Sequence, residues 1–169
     1  ARNVWDAVIN KINPSTILEI GSYEGASACY LIEKLGARKE IELHCIDTWE
    51  GGIEHGADGD HQSDMVQVRN RFDHNIQLAR SKVNHNVEVV IRTGSSDREL
   101  SKLLAAGKQN YFDFIYVDGS HQAPDVLTDA ILSFKLLKLN GVIAFDDYLW
   151  QEDLQHGVDP IRCPKIAID

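Results

Sequence analysis

The sequence predicts a single α/β domain built on a doubly wound, mostly parallel sheet. Five short β-type runs alternate with helix-type stretches, and sequential strands joined this way pair in parallel through right-handed crossovers. Four of the five runs are nearly continuous apolar stretches, as strands buried on both faces require. A chain of 169 residues also suits one well-cored domain and not two.

In order, the strands are expected over 16–20, 41–47, 87–92, 112–118 and 141–145, with helices over 26–35, 64–81, 98–106 and 124–139. The helix 64–81 carries Val66, Phe72, Ile76 and Leu78 among charged residues, an amphipathic layout for lying over the sheet. Residues 49–62 (WEGGIEHGADGDHQ) are glycine-rich, polar and aperiodic, and read as a loop. His55, His61, Asp58 and Asp60 lie in it, without an EF-hand pattern. After Tyr148 no further strand is legible, and the sequence stops as a helix begins over 164–169. The fifth strand is therefore an edge that the C-terminal segment or a second copy must cover, which leaves homo-oligomer formation open.

Composition narrows the function. Twenty-six acidic against 17 basic residues, with no Lys/Arg cluster, favour a small-molecule partner over nucleic acid. No apolar run approaches a membrane-spanning length. The first residues lack the basic-then-apolar layout of a secretory signal and lack an initiator Met, as in a fragment. Cys29, Cys45 and Cys163 are odd in number and far apart, which reads as free thiols in a reducing, cytoplasmic setting.

The first strand runs into Glu19-Ile20-Gly21-Ser22-Tyr23-Glu24-Gly25-Ala26-Ser27. Glycines at 21 and 25 let backbone approach a ligand, and the following helix start adds unpaired N–H groups. The dinucleotide fingerprint needs Gly where Tyr23 stands, and the G-K-[ST] of a phosphate loop is absent. An acid two residues before the first glycine suits instead a cationic sulfonium ligand bearing an ammonium group. Asp47, followed by Thr48 and Trp49, ends the second strand where an acid accepts ribose hydroxyls. Gly94, Ser95 and Ser96 end the third, where small hydroxyl residues meet an adenine edge or cap a helix.

Taken together these runs resemble the class I S-adenosylmethionine-dependent methyltransferases, over roughly residues 10 to 150. More narrowly, LEIGSYEGAS, HCIDTW, FDFIYVDGSH and LLKLNGVIAFDDY are similar to the metal-dependent O-methyltransferases of the catechol and macrolide-sugar kinds. Asn140 replaces a usual glycine of the last motif. The resemblance implies a Rossmann-like domain, here lacking its last two strands or truncated before them. It implies S-adenosylmethionine as donor, with Glu19, Gly21 and Ser27 around the methionine part, Asp47 on the ribose, and Ser95 and Ser96 near adenine. Asp118, Asp146 and Asp147 match divalent-metal ligands, and His121 falls where the catechol enzymes place a lysine base.

A physical argument stands beside it. Neighbouring fourth and fifth strands bring Asp118 and the Asp146-Asp147 pair into one small volume, where three carboxylates repel one another unless a cation such as Mg²⁺ holds them. The expected activity is cation-assisted methylation of a small hydroxylated molecule, with His121 as base and Asp118 beside it. Two other readings stay open: a nicotinamide-dependent oxidoreductase, and a methyltransferase-like module that binds without turnover.

Overall fold

A computed structural model of the protein describes residues 2–52, 63–152 and 154–169. Most of the glycine-rich segment, including His55, Asp58, Asp60 and His61, lies outside the described residues.

The elements run α1 (Arg2–Ile12), β1 (Thr16–Ile20), α2 (Ala26–Gly36), β2 (Ile41–Asp47), α3 (Met65–Ser81), β3 (Val87–Thr93), α4 (Ser96–Ala105), β4 (Phe112–Val117), α5 (Ala123–Leu136) and β5 (Leu137–Phe145). A 3₁₀ turn (Pro160–Arg162) and the short α6 (Lys165–Ile168) follow. The five strands form one sheet in the order β3-β2-β1-β4-β5, every pair parallel. This is the doubly wound, Rossmann-like arrangement, and the strand order reverses between β1 and β4.

Alternation along the strands divides the core between two faces. Ile17, Leu43, Cys45, Phe114 and Tyr116 pack against α1, α2 and α3, while Leu18, Ile20, Ile46, Ile115 and Val117 pack with Leu100, Leu103 and Leu136 of α4 and α5. Helix α3 begins where Asp64 Oδ1 accepts the Val66 and Gln67 N–H groups at 3.0 and 3.2 Å. It buries Val68, Phe72, Ile76 and Ala79, spaced by helical turns; Val66 and Leu78, placed by sequence in the apolar stripe, are exposed.

Several boundaries differ from expectation. Helix α1 was hidden by its position at the start of the chain, although Trp5, Val8, Ile9 and Ile12 fall on one helical face. Helix α5 ends at Leu136, short of 139, and β5 begins at once at Leu137, four residues earlier than 141. A register shift explains the discrepancy: Phe112 pairs with Leu137 but Phe114 with Val142, so the segment 138–141 bulges. Asn140 sits there at φ 65°, a left-handed conformation that glycine or asparagine adopts most readily. Strand β4 stops at Val117, which makes Asp118 the first residue past its end.

Candidate functional site

The glycine turn after β1 is held from below and from one side. Beneath it Glu19, fully buried, accepts the hydroxyls of Ser22 and Ser27, each at 2.5 Å. Burial raises the pKa of this carboxyl, against the lowering pull of those two hydroxyls and Cys45. Glu19 thus fixes two serine side chains, and its own oxygens are spent inside the loop. Gly25 at φ 81° opens α2.

From the side, Asp47 Oδ2 accepts the backbone N–H groups of Ser22 and Tyr23 at 2.9 and 2.8 Å, and Oδ1 accepts that of Trp49 at 2.7 Å. Three bonds leave a carboxylate with about one acceptor position. Tyr23 has φ 47°, so the position where a dinucleotide site uses glycine is left-handed here with a tyrosine in place. Thr48 Oγ1 accepts the Glu50 N–H at 3.1 Å. Trp49 is buried: its ring packs on Phe72, lies under the Arg69 guanidinium at 3.9 Å, and donates Nε1–H to the Tyr23 carbonyl at 3.0 Å. Next to β2, the Gly94 N–H donates to the Asp47 carbonyl at 3.0 Å, which sets Gly94, Ser95 and Ser96 beside the Asp47 turn.

At the strand-order reversal the turns after β1 and β4 touch. A Cβ on Gly21 would lie 2.0 Å from the Asp118 carbonyl oxygen, so only glycine fits. The Asp118 N–H donates to the Ile20 carbonyl and the Asp146 N–H to that of Val117, at 2.8 and 3.0 Å.

Past β4 and β5, ligand atoms of Asp118, His121 and Asp147 lie within 4.8 Å of one another. His121 Nε2 is 2.9 Å from Asp147 Oδ2, and its ring stacks on Trp150 with centroids 4.4 Å apart. Asp146 stands beside them but turns away: Oδ2 accepts from the Tyr116 hydroxyl and Oδ1 from the Asp147 N–H. The Tyr116 hydroxyl also lies 3.1 Å from Asp118 Oδ2, so one phenol bridges two carboxylates. Burial first, then the charges of Asp146 and Asp147, raise Asp118 to about 7. Burial, then the carboxylates of Asp146 and Asp118, push Tyr116 well above an ordinary phenol. Two carboxylates and one imidazole within this distance fit a divalent cation that accepts oxygen-rich ligation. A small pocket lined by Asp118, His121, Phe145, Asp146 and Pro164 adjoins them.

Sequence reasoning missed Tyr116. Its signal was parity: it stands two residues before Asp118 and shares its side of the sheet, and a mostly buried phenol needs a partner. Of the other histidines, His44 is buried, bonded to Glu42 at 2.6 Å and receiving Arg92 Nε at 3.1 Å, and His85 is exposed. All three cysteines are free, Cys45 and Cys163 buried. No helix among the described residues is long and apolar enough to cross a membrane.

A glycine turn and a carboxylate corner, meeting where parallel strands reverse their order, define a ligand-binding doubly wound α/β domain. Comparison with known families specifies it: a family described as "Methyltransferase domain" matches residues 18–148, and the chain belongs to that family. Two curated relatives from Dictyostelium discoideum, named probable caffeoyl-CoA O-methyltransferases 1 and 2, are each 27% identical over 135 residues, 75% of this chain. The match covers 53% and 52% of those proteins, so the chain spans about half the length of the curated relatives it matches. Among solved structures, an O-methyltransferase from Bacillus cereus in complex with SAH superposes with TM-score 0.64 at 20% identity, over 86% of this chain and 55% of that one. TomG from Streptomyces achromogenes, an O-methyltransferase of tomaymycin synthesis in complex with SAM, gives 0.60 at 20%, over 86% and 54%. These likenesses establish the fold.

Proposed function

We propose that residues 1–169 form one donor-binding domain that carries a methyl group from S-adenosylmethionine to the hydroxyl of a small molecule, assisted by a divalent cation. The observation that carries this reading is the convergence of Asp118, His121 and Asp147 within 4.8 Å, directly beside a glycine turn that abuts Asp118.

Each residue has a task in the reading. Ser22 and Ser27 give their protons to Glu19, so their lone pairs are left to receive the donor's ammonium group. Asp47 keeps a remaining acceptor position for ribose hydroxyls, and Ser95 and Ser96 line the purine edge. Asp118 and Asp147, with Asp146 alongside, hold the cation, which when bound supplies Lewis acidity toward the acceptor hydroxyl. His121, held at 2.9 Å from Asp147 and beside Asp118, is the base that takes the acceptor's proton. Methyl transfer is then chiefly a matter of holding two reactants in line. Free thiols agree with a reducing, cytoplasmic location.

The test combines calorimetry with S-adenosylhomocysteine and methyl transfer from labelled donor to phenolic and sugar hydroxyls. Donor binding should be saturable, and EDTA should abolish transfer until Mg²⁺ or Mn²⁺ is restored. Undiminished transfer in EDTA would remove the cation from the mechanism, and absence of S-adenosylhomocysteine binding would remove the whole reading.

A further inference from the structure

Asp146 and Asp147 are adjacent in the chain, yet the fold treats their carboxylates differently. Asp146 is engaged on both oxygens: Oδ2 accepts from the Tyr116 hydroxyl, and Oδ1 accepts the Asp147 N–H at 3.0 Å. Asp147, at φ 52°, leaves the strand path, and among the described residues its carboxylate is hydrogen-bonded only to His121, at 2.9 Å. Asp118 shares the same phenol at 3.1 Å, and its ligand atom lies within 4.8 Å of those of His121 and Asp147. Asp146 is outside that group.

What divides the three acids is the placement of one hydroxyl. Tyr116 is 4% exposed, on a strand paired along both edges, opposite Glu19 of β1 and Ala144 of β5. Its ring meets the Trp5 ring of α1 edge-on, with centroids 4.6 Å apart. The phenol is thus fixed by the sheet and by α1, and its oxygen cannot follow a carboxylate that moves away. Drawing Asp146 toward a cation would break its bonds to Tyr116 and to the Asp147 N–H, and would leave a buried hydroxyl short of an acceptor. Charge favours the same division. Two carboxylates balance a divalent cation, whereas a third would leave the corner net negative and oppose an ionised acceptor hydroxyl.

We propose that Tyr116 is a positioning residue that keeps Asp146 off the cation, so that Asp118 and Asp147 are the carboxylates that hold it. The inference rests on the cation reading above. It goes beyond that reading in assigning which carboxylates are ligands and naming the residue that sets their number.

The probe is Mn²⁺ alone, titrated into the protein at about pH 8 and followed by electron paramagnetic resonance. Tyr116→Phe deletes the hydroxyl and keeps the ring against Trp5, which frees Asp146 to turn to the cation. Because cation affinity follows the charge of the ligand set, this variant should bind Mn²⁺ about tenfold more tightly than the unsubstituted protein. Asp146→Asn in the otherwise unsubstituted protein should weaken binding by about threefold, since it removes a nearby charge and not a ligand. In the Tyr116→Phe background the same substitution should cost about thirtyfold, which returns the double variant to the affinity of Asp146→Asn alone. A tyrosine with only a packing role would lower the melting temperature of Tyr116→Phe and leave its Mn²⁺ affinity unchanged, which overturns the inference. So does weaker binding by Tyr116→Phe, or a loss of about tenfold or more on Asp146→Asn in the otherwise unsubstituted protein. Asp146→Asn carries the test alone if Tyr116→Phe does not fold. Absence of Mn²⁺ uptake by the unsubstituted protein overturns the cation reading itself and is thereby distinguished.

Discussion

The two ends of strand β4 carry aspartates five residues apart whose surroundings are opposite. At the start of the strand, Asp113 accepts the N–H groups of Ser15 and Thr16 and the Thr16 hydroxyl, all at 2.9 Å, and the Lys138 ammonium at 2.8 Å. Burial would raise its pKa, but these bonds outweigh burial and hold it at about 2. Just past the end of the strand, Asp118 has Tyr116, two further carboxylates and, among the described residues, no cationic side chain bonded to it, and stands at about 7. One carboxylate is saturated by its own fold; the other is left needing a positive partner. The contrast separates an acid that holds strands together from an acid arranged to receive something, and it needs no knowledge of the ligand.

Substitutions break or sharpen this contrast in a definite order. Asp118→Ala should lower Mn²⁺-supported methyl transfer by about a thousandfold and abolish Mn²⁺ binding followed by electron paramagnetic resonance, while Asp113→Ala leaves the turnover number within about twofold. Gly21→Ala should cost on the order of 3 kcal/mol of stability in denaturant titrations, because its methyl collides with the Asp118 carbonyl. Asp113→Ala should cost about 2 kcal/mol at neutral pH. Since the folded pKa of Asp113 lies below the unfolded value of 3.8, that stability is complete above about pH 4 and is lost as pH falls toward 2. Wild type and variant should therefore converge in acid; a constant gap down to pH 2 would contradict the assignment. In EDTA, Asp118→Asn should be more stable than wild type by about 1 kcal/mol, as repulsion at the corner is relieved. Lys138→Met should be the mildest change, about 0.5 kcal/mol, since this ammonium is partly exposed and screened.

How far these features could be read from sequence follows from the range of the interactions involved. Apolar runs and glycine turns are local, so 16–20 and 41–47 match β1 and β2 to the residue, and the order of the remaining elements is legible. The start of β5 was not, because its bulged residues 138–141 carry no apolar run and their pairing depends on Phe112 and Phe114. Motif positions brought Asp118, Asp146, Asp147 and His121 to one corner, but could not say which oxygens converge. That depends on Tyr116, whose single hydroxyl turns Asp146 aside and leaves His121 nearer the cluster. Glu19 and Asp47 were legible as acids of the site; that both spend most of their oxygens on the turn itself is a matter of three-dimensional packing.

The contact between Gly21 and Asp118 has one more consequence. With the backbones of the two turns packed too closely to admit a methyl group, neither can be enlarged without displacing the other. The glycine turn and the carboxylate corner are thus a single mechanical part. Remodelling residues 118–121 would therefore shift the turn at Gly21 as well, and the tolerance for that remodelling is less than the width of one carbon atom.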